Sequence, residues 1–292
     1  MSLELTKQIA DAVPWLDGVA KRAQPPVQQF FSSRPRLHNA LDGTWMGVPL
    51  HPALTDVPVG ACTSALLLDA VAVATGSAAA DTAADGALAV GIAGSLPAAV
   101  TGTADWRDLI GEERRIATVH ALLNVAGLAL NVASLTQRVR GNRRAGRALS
   151  AAAMALSGTA AHLGGELSFG LGVRVNHTFA DTQPSEFVAV ADEAELAGDE
   201  LKTVTVDGAS VLIARAQSGQ LCAIANTCSH LGGPLGEGSR DGNVVACPWH
   251  GSKFDLCSGA VLEGPAVFPQ PRYEVRSKDG KIELRGATGG QR

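Results

Sequence analysis

Two short segments near the carboxyl end of this 292-residue sequence each combine a cysteine with a histidine. They read Cys228-Ser229-His230 and Cys247-Pro248-Trp249-His250, and sixteen residues separate them. Four of the five cysteines lie between positions 222 and 257. This crowding predicts one compact cysteine-dependent metal site and argues against a disulfide framework spread over the fold.

Two thiolates and two imidazoles suit two kinds of metal centre. One is tetrahedral zinc, and the other is a [2Fe–2S] cluster in which two histidines replace two cysteines on one iron. Zinc fingers generally place both cysteines on one knuckle and both histidines on another. Here each segment supplies one cysteine and one histidine, so each loop can give a thiolate to one iron and an imidazole to the other. The spacing favours the iron–sulfur cluster, and zinc remains the alternative.

The elements that must position these loops have the pattern of a small all-β domain. Short β-rich runs separated by turn signals follow a shift in composition near residues 179–185. Strands are predicted at 187–190, 203–206, 211–215 and 221–225, with hairpin turns at Ser218-Gly219 and Asp279-Gly280. We therefore expect a linker at 176–185 and a domain of antiparallel sheets at 186–290.

The two loops resemble those of a Rieske [2Fe–2S] domain. The first reads Cys-Ser-His-Leu-Gly-Gly and the second Cys-Pro-Trp-His-Gly-Ser-Lys-Phe-Asp, and a later Gly264-Pro265-Ala266 is similar to the third loop that shields the cluster in this family. The resemblance implies that Cys228 and Cys247 bind one iron and that His230 and His250 bind the other. It also implies that Ser252 tunes the reduction potential and that Trp249 and Pro265 exclude water.

Two departures from the family pattern indicate the type of Rieske domain. Gly233 and Trp249 occupy the places where Rieske subunits of quinol:cytochrome oxidoreductases have disulfide-bonded cysteines. Phe254 occupies the place of a tyrosine that donates a hydrogen bond to a ligand sulfur. Loss of a hydrogen-bond donor to sulfur lowers the reduction potential of the cluster. Rieske clusters span roughly −150 to +300 mV, and we expect this one to lie in the lower half of that range. The domain is thus similar to the Rieske-type ferredoxins that supply ring-hydroxylating oxygenases.

Cys222 and Cys257 fit no ligand pattern and are expected to be buried free thiols, as is usual for unpaired cysteine.

The preceding part of the chain has the composition of a membrane protein. The whole sequence is 46% hydrophobic and only 18% charged, and its net charge of −4 gives no reason to expect nucleic-acid binding. Four runs of bilayer length contain at most one charged residue, Asp69, which is expected to pair inside the bundle. These predicted spans lie near 57–75, 86–102, 116–137 and 148–165. A soluble bundle would show charged helix faces, which are missing here.

The predicted four-span bundle occupies residues 46–175, and residues 1–45 precede it as an amphipathic interfacial segment. In that segment Leu3–Val13 has a helical pattern, and Pro25-Pro26 is expected to break it. Four aromatic side chains are expected at the lipid interface: Trp15, Phe30, Phe31 and Trp45. The joints at 48–52, 104–108 and 162–166 resemble a bacterial four-helix membrane family of unknown function that is sometimes fused to Rieske domains.

Three histidines lie toward one end of the predicted bundle: His51, His120 and His162. Polar groups in a membrane segment are costly, so these side chains form a possible secondary site for haem, a metal or a quinone. The alternative is that they only hold the helices together by hydrogen bonds.

The orientation in the cell membrane is predicted by two opposed arguments. The loop 137–147 holds five arginines and no acid, which by the positive-inside rule places the Rieske domain outside. The absence of the loop disulfide and the presence of free thiols suit a reducing cytosol, and on this ground we expect the Rieske domain to be cytoplasmic.

The predicted function is that of a multi-pass membrane-anchored electron carrier, and not a complete enzyme. Its cluster would pass single electrons to or from a redox protein such as a reductase, an oxygenase or a respiratory component. A first alternative is a quinol-oxidising or haem-linked oxidoreductase subunit that uses the membrane histidines. A second is a zinc-stabilised structural module. A Rieske oxygenase is disfavoured because the β domain leaves no room for a separate catalytic domain.

Overall fold

The computed structural model describes residues 8, 11–196, 198 and 200–287, and these residues form two compact units. The first unit comprises the residues up to Ser33 together with Leu50–Val173. The second comprises Arg34–Pro49 together with the residues from Arg174 onward. Most of the helical pattern predicted at Leu3–Val13 lies outside the described residues.

The helices follow in chain order as α1 (Leu16–Ser32), α2 (Pro35–Asp42), α3 (Leu50–Thr75), α4 (Ala78–Trp106), α5 (Gly111–Val139) and α6 (Arg143–Gly165). A short π-helical turn, Glu166–Gly170, extends α6. In the first unit α3 packs along α4 and α5 packs along α6, and further contacts join α4 to α5 and α3 to α6. Helices α3 to α6 each begin several residues before the apolar run predicted to span the membrane. Their first turns therefore include polar residues that the predicted spans left out.

Three of these helices, α3, α4 and α5, are long and apolar enough to cross a membrane. This is one fewer than the four predicted spans. Helix α6 is not among the three. Its uncharged run at 148–165 is rich in Ala, Gly and Ser and contains His162, so it is less apolar than the other three helices.

Small residues bring α3 and α4 together, as expected for helices that pack without a water-driven hydrophobic effect. A Cβ atom on Gly91 would lie 2.5 Å from the sulfur of Cys62, and one on Gly94 would lie 2.8 Å from a Val57 methyl group.

A buried ion cluster joins the end of α3, the beginning of α4 and the end of α5. Arg138 of α5 donates through both terminal nitrogens to Asp69 of α3, at 2.8 and 2.5 Å, and also bonds Asp85 of α4 at 3.2 Å. The side chain of Arg138 is fully buried, and Ser134 and Ser150 complete its hydrogen bonds. The predicted pairing of Asp69 inside the bundle is therefore confirmed.

The first helix runs through Pro25 and Pro26, which were expected to break the helical pattern. Contacts with the first unit hold it: the Gln24 amide donates to the Leu109 carbonyl at 2.8 Å, and Arg114 donates to Gln24 at 3.0 Å. The expectation that Phe31 faces lipid was also wrong, because Phe31 is only 5% exposed and lies under the Arg107 guanidinium. Trp15, Phe30 and Trp45 are exposed.

The described residues of the second unit form ten strands in two antiparallel sheets. The strands are β1 (Val188–Asp192), β2 (Leu201–Val206), β3 (Ala209–Arg215), β4 (Leu221–Ala225), β5 (Ser239–Asp241), β6 (Val244–Ala246), β7 (Lys253–Asp255), β8 (Val261–Glu263), β9 (Arg272–Lys278) and β10 (Lys281–Gly286). Six form a sheet in the order β1-β10-β9-β4-β3-β2, and four form a sheet in the order β5-β6-β7-β8. The predicted turns at Ser218-Gly219 and Asp279-Gly280 join β3 to β4 and β9 to β10.

Two buried clusters hold these sheets. One contains Leu212, Ile224 and Phe254 together with the sulfur-bearing residues Cys228 and Cys247. The other lies under the six-stranded sheet and contains Tyr273, Ile282 and Leu284. The first cluster places the two cysteines against the hydrophobic core of the domain.

Candidate metal centre

The two cysteine–histidine loops are closed by the same pair of backbone hydrogen bonds. In the first, Cys228 N–H donates to the Gly233 carbonyl at 2.8 Å and Gly232 N–H donates to the Cys228 carbonyl at 2.9 Å. The second repeats this with Cys247 to Ser252 at 2.8 Å and Gly251 to Cys247 at 3.1 Å. Each loop thus turns back four residues after its cysteine.

Glycine at that fourth position is required by the turn. Gly232 has φ +79° and Gly251 has φ +76°, in the left-handed region that other residues rarely adopt. The sequence signal is therefore a glycine four residues after each cysteine, in addition to the cysteine–histidine pairs.

The sulfur atoms of the two loops meet in the domain interior. Cys228 is 1% exposed and Cys247 is 5% exposed. A hydrogen bond from the Cys228 thiol lowers the pKa of the Cys247 thiol to about 6 against the opposing effect of burial, and the N–H groups of Trp249 and His250 act in the same direction. The same hydrogen bond, together with burial, raises the pKa of Cys228. Backbone N–H groups aimed at both sulfurs suit thiolates that bind a metal.

The imidazoles of the two loops meet nearer the surface. The ring centroids of His230 and His250 are 5.1 Å apart, with the ring planes nearly perpendicular. His230 is 7% exposed and His250 is half-buried, and the neighbouring Trp249 is 57% exposed. The pair of cysteines therefore forms the inner end of the site and the pair of histidines the outer end.

The two sulfurs lie together at the inner end of the site and the two imidazoles lie together at the outer end. Within the described residues, no group of three or more His, Cys, Asp and Glu side chains is placed to hold one metal ion. A [2Fe–2S] cluster needs two thiolates at one iron and two imidazoles at the other, and it needs hydrogen-bond donors around its sulfurs. Paired sulfurs behind paired imidazoles match that requirement.

The predicted tuning and shielding residues lie beside the cysteines. Ser252 is fully buried, and its hydroxyl oxygen accepts the N–H of Ala266 at 2.9 Å, which leaves its hydrogen to donate elsewhere. Pro265, next to Ala266, is buried. Phe254 is fully buried in the cluster of apolar residues around the cysteines.

Gly233 and Trp249 are in contact, at the point where the two loops approach each other. A Cβ atom on Gly233 would lie 3.1 Å from the Trp249 ring and 2.8 Å from the Cys247 sulfur. In this chain the indole and the glycine therefore close the space where the resemblance places a loop disulfide in other Rieske proteins.

Sequence reasoning missed several residues that hold the first loop. Asn226 accepts the Gly236 N–H at 2.7 Å through its side chain, and the Ser229 hydroxyl donates to the Phe268 carbonyl at 2.7 Å. Gln270, with its amide oriented to satisfy both groups, bridges the Thr227 carbonyl and the Ser229 N–H. The residues that Asn226, Ser229 and Gln270 contact are ten or more residues away in sequence, so local patterns do not reveal these contacts. Only Ser229, which lies inside the cysteine–histidine motif, could have been singled out from the sequence.

The expectation of free thiols at Cys222 and Cys257 was wrong, because these residues form a disulfide. The bond links β4 of the larger sheet to the turn after β7 of the smaller one, across a sequence separation of 35 residues. The sequence places one cysteine in a strand and the other in a turn, and only tertiary folding brings them together. The free thiols are Cys62, Cys228 and Cys247, all within the described residues.

Two of the three membrane histidines lie together in the first unit. The rings of His51 in α3 and His120 in α5 have centroids 6.5 Å apart. Each ring bonds a backbone carbonyl of another helix through Nδ1: His51 bonds Ala98 at 2.9 Å and His120 bonds Ala160 at 2.8 Å. His162 is near the end of α6 and is half-buried.

Comparisons with known proteins agree with this geometry. The family described as the Rieske [2Fe-2S] domain matches residues 186–274, and the family described as a predicted membrane protein (DUF2231) matches residues 47–177. The ferredoxin CarAc of Metapseudomonas resinovorans is 34% identical over 86 residues, which are 30% of this chain and 80% of that protein. The chain belongs to the Rieske [2Fe–2S] family.

Other Rieske proteins match the same region. The ferredoxin component of the naphthalene 1,2-dioxygenase system of Pseudomonas putida is 31% identical over 34% of this chain and 91% of its own length. The iron–sulfur subunit of the cytochrome b6-f complex of Chlorobaculum tepidum is 38% identical over 22% of this chain and 34% of its own length. The solved ferredoxin of carbazole 1,9a-dioxygenase from Nocardioides aromaticivorans is 30% identical, with a TM-score of 0.33 over 35% of this chain and all of that chain.

The Rieske domain carries a [2Fe–2S] cluster and serves electron transfer, together with a redox protein partner. The amino-terminal part matches the predicted membrane protein family DUF2231, and three of its helices are long and apolar enough to cross a membrane. These matches support the predicted [2Fe–2S] cluster over the alternative of a zinc-stabilised module.

Proposed function

We propose that this protein is a membrane-anchored carrier of single electrons, in which Cys228 and Cys247 bind one iron of the cluster and His230 and His250 bind the other. The observation that carries this proposal is the layered site, with buried sulfurs inside and imidazoles outside. The bound cluster supplies reversible one-electron chemistry. The chain supplies the ligands, the backbone donors to sulfur and a core that keeps water from the thiolate end.

Electrons would enter and leave at the histidine end. His250 is half-buried and Trp249 beside it is exposed, so a partner can approach the outer iron without displacing the core. Because the relatives include ferredoxin components of dioxygenase systems, a reductase and an oxygenase are the partners we propose first. A respiratory component is the alternative partner.

Replacement of one ligand tests this assignment. Cys228→Ser should abolish the reduced-state electron paramagnetic resonance (EPR) signal in detergent-purified protein, because the inner iron loses one of its two thiolates. Cys62→Ser is the matched control, since Cys62 is a free thiol of α3. Retention of the signal in Cys228→Ser, or its loss in Cys62→Ser, would contradict the assignment.

The potential of the cluster is proposed to lie in the lower half of the Rieske range. Phe254 is fully buried next to the cysteines and has no hydroxyl to donate to a ligand sulfur. Ser252 remains as a donor, so one of two side-chain hydrogen bonds of the family pattern is missing. Redox titration should give a midpoint in the lower half of roughly −150 to +300 mV, and a midpoint near the upper limit would refute the proposal.

A second candidate function uses the membrane histidines. With its Nδ1 directed at a backbone carbonyl, the His51 ring keeps Nε2 available as a lone-pair donor. Nε2 of His120 accepts the side-chain N–H of Asn124 at 3.1 Å, so a ligand at His120 would replace that hydrogen bond. The pair of His51 and His120 suits a haem iron or the oxygen of a quinol, and either would make this protein an oxidoreductase subunit.

Spectroscopy of the whole protein tests the second candidate. Purified protein should show haem absorption, or its cluster should be reduced by quinol, and His120→Ala should remove that property without changing the cluster signal. His162→Ala serves as the comparison in the same bundle. If purified protein lacks haem and quinol does not reduce its cluster, the second candidate fails and the electron carrier stands alone.

For the membrane orientation we propose that the Rieske domain lies on the outer face. The expectation of a cytoplasmic domain depended on the absent loop disulfide and on free thiols. The Cys222–Cys257 disulfide removes the second of these grounds, because disulfides persist in oxidising compartments. The arginine-rich loop at 137–147 favours the same orientation by the positive-inside rule. Labelling of an exposed domain residue by an impermeant reagent on intact cells would support it, and labelling only after lysis would refute it.

A further inference from the structure

The second unit contains a segment that precedes the membrane helices in sequence. Residues Arg34–Pro49, which include α2, fold with the Rieske domain that begins some 130 residues later. The match to the Rieske family spans residues 186–274 and does not include this segment. None of the strands predicted from the sequence includes it either.

Polar contacts tie α2 to the third loop of the Rieske domain. The Asn39 side chain accepts the Gly264 N–H at 2.9 Å and donates to the Leu262 carbonyl at 3.3 Å. A Cβ atom on Gly264 would lie 2.6 Å from the carboxylate of Asp42. The helix and the loop therefore lie in direct contact, and the loop needs glycine at this point.

A buried ion pair completes the connection. Arg174 donates to the Pro265 carbonyl at 2.6 Å through one terminal nitrogen and to Asp42 at 2.6 Å through the other. The other oxygen of Asp42 lies 2.6 Å from Nε2 of His38. The Asp42 side chain is fully buried and that of Arg174 is 5% exposed. A pair buried to this degree is expensive to break because one charge would remain unpaired.

We propose that α2 is a clamp on the third loop, and that Asp42 and Arg174 are positioning residues for the cluster. Asp42 fixes the Arg174 guanidinium, which fixes the Pro265 carbonyl. The next residue, Ala266, gives its N–H to Ser252, the residue proposed to donate to the cluster. The contacts thus form a chain from α2 to the tuning hydroxyl. This inference rests on the proposed ligand set.

The clamp also constrains the path of the chain across the membrane. Residues 34–49 come directly before α3 and residues from Arg174 onward come after α6, yet they form one folded unit. The chain therefore enters and leaves the membrane helices on the same side, which requires an even number of crossings. Because α3, α4 and α5 are apolar enough to cross, α6 is the fourth.

Ion pairs neutralise two of the arginines that precede the uncharged run of α6. Arg143 lies 2.7 Å from Asp85, and Arg147 lies 2.5 Å from Asp81. Both acids belong to α4, so the first turns of α6 are neutralised by a neighbouring helix instead of by water.

Substitution of the ion pair tests the clamp through the cluster. In the full chain, Asp42→Asn and Arg174→Gln should each lower the midpoint potential and release iron to a chelator at least threefold faster. The double variant should resemble either single one, because both act through one contact. Arg174→Lys should recover part of the potential. Glu193→Gln, which breaks a surface pair with Arg215, is the matched control and should change neither property.

Unchanged potential and unchanged iron release in both single variants would overturn the positioning role. A topology measurement keeps the proposal testable if those variants do not fold. Single cysteines at the exposed positions Arg36 and Lys278 should be labelled from the same side of a sealed vesicle, and one at Arg140 from the opposite side. Labelling of Arg36→Cys and Lys278→Cys from opposite sides would refute the clamp. If the unmodified protein shows no cluster signal, only the proposed function is refuted.

Discussion

Ser252 shows how a single buried hydroxyl connects loop structure with redox chemistry. Its oxygen is occupied by the Ala266 N–H, so its hydrogen is free to point toward the cluster that the Rieske loops hold. A hydrogen bond to a cluster sulfur stabilises the reduced form because that form carries more negative charge. Ser252 thus links the second loop to the third, and we propose that it also raises the potential of the cluster.

Ser252→Ala should lower the midpoint potential by roughly 65–130 mV. A hydrogen bond to a charged group contributes about 1.5–3 kcal/mol, and about 59 mV corresponds to a tenfold change for one electron. Redox titration followed by EPR measures the shift. Ser218→Ala, in the exposed turn between β3 and β4, should leave the potential unchanged; an equal shift in both variants would exclude a specific role for Ser252.

The elements of the β domain are joined by the Cys222–Cys257 disulfide, which connects the two sheets. Cys222→Ser should lower the free energy of unfolding of this domain by about 2–4 kcal/mol, as expected for the loss of a cross-link closing a loop of this size. Chemical denaturation followed by the visible absorption of the cluster measures it. Cys222→Ser, Cys257→Ser and the double variant should be equally destabilised, and an additive loss would show that the thiols are not paired.

The six-stranded sheet buries the only tyrosine of the chain, Tyr273 of β9. Burial, with a smaller effect of the Asp181 charge, raises the pKa of Tyr273 to about 12. Between about pH 10 and pH 12 the unfolded chain loses this proton while the folded chain keeps it, so the stability of the domain falls as pH rises. Ultraviolet difference absorption should show tyrosinate forming near pH 12, and titration near pH 10 would contradict the burial.

At the scale of elements, local signals predicted most of the β domain, and distant contacts were invisible. Alternating side chains and Gly-containing turns located β1 to β4, and motif spacing located the two loops. Nothing near Cys222 indicates Cys257, and nothing near Asp42 indicates Arg174, because these partners are 35 and 132 residues apart. Helix α1 was also misjudged, since contacts of Gln24 with distant carbonyls hold it across two prolines.

The whole molecule combines two compact units with separate cores. The membrane unit is joined at one end by Arg138, Asp69 and Asp85, which the sequence indicated only through the isolated acid in an apolar run. The four apolar runs located α3, α4, α5 and α6, but hydropathy could not identify charges that neutralise one another between helices. The folding of residues 34–49 with the C-terminal domain was likewise beyond local patterns.

Arg138→Met should destabilise the membrane unit by about 3–5 kcal/mol, because it leaves the buried Asp69 without its main partner. Thermal unfolding of the detergent-purified protein should show a lower midpoint, while the EPR signal of the cluster stays unchanged. Arg140→Met replaces an exposed arginine two residues away and should have little effect. Equal destabilisation by both variants would argue against the ion cluster.

We propose that Cys228, His230, Cys247 and His250 hold a redox-active [2Fe–2S] cluster. The most direct measurement is EPR of the reduced, anaerobically purified full chain, combined with quantification of iron and acid-labile sulfide. We predict equal amounts of iron and sulfide and a reduced-state signal with magnetic coupling to histidine nitrogen. Bound zinc without sulfide, or a reduced protein with no signal, would contradict the account.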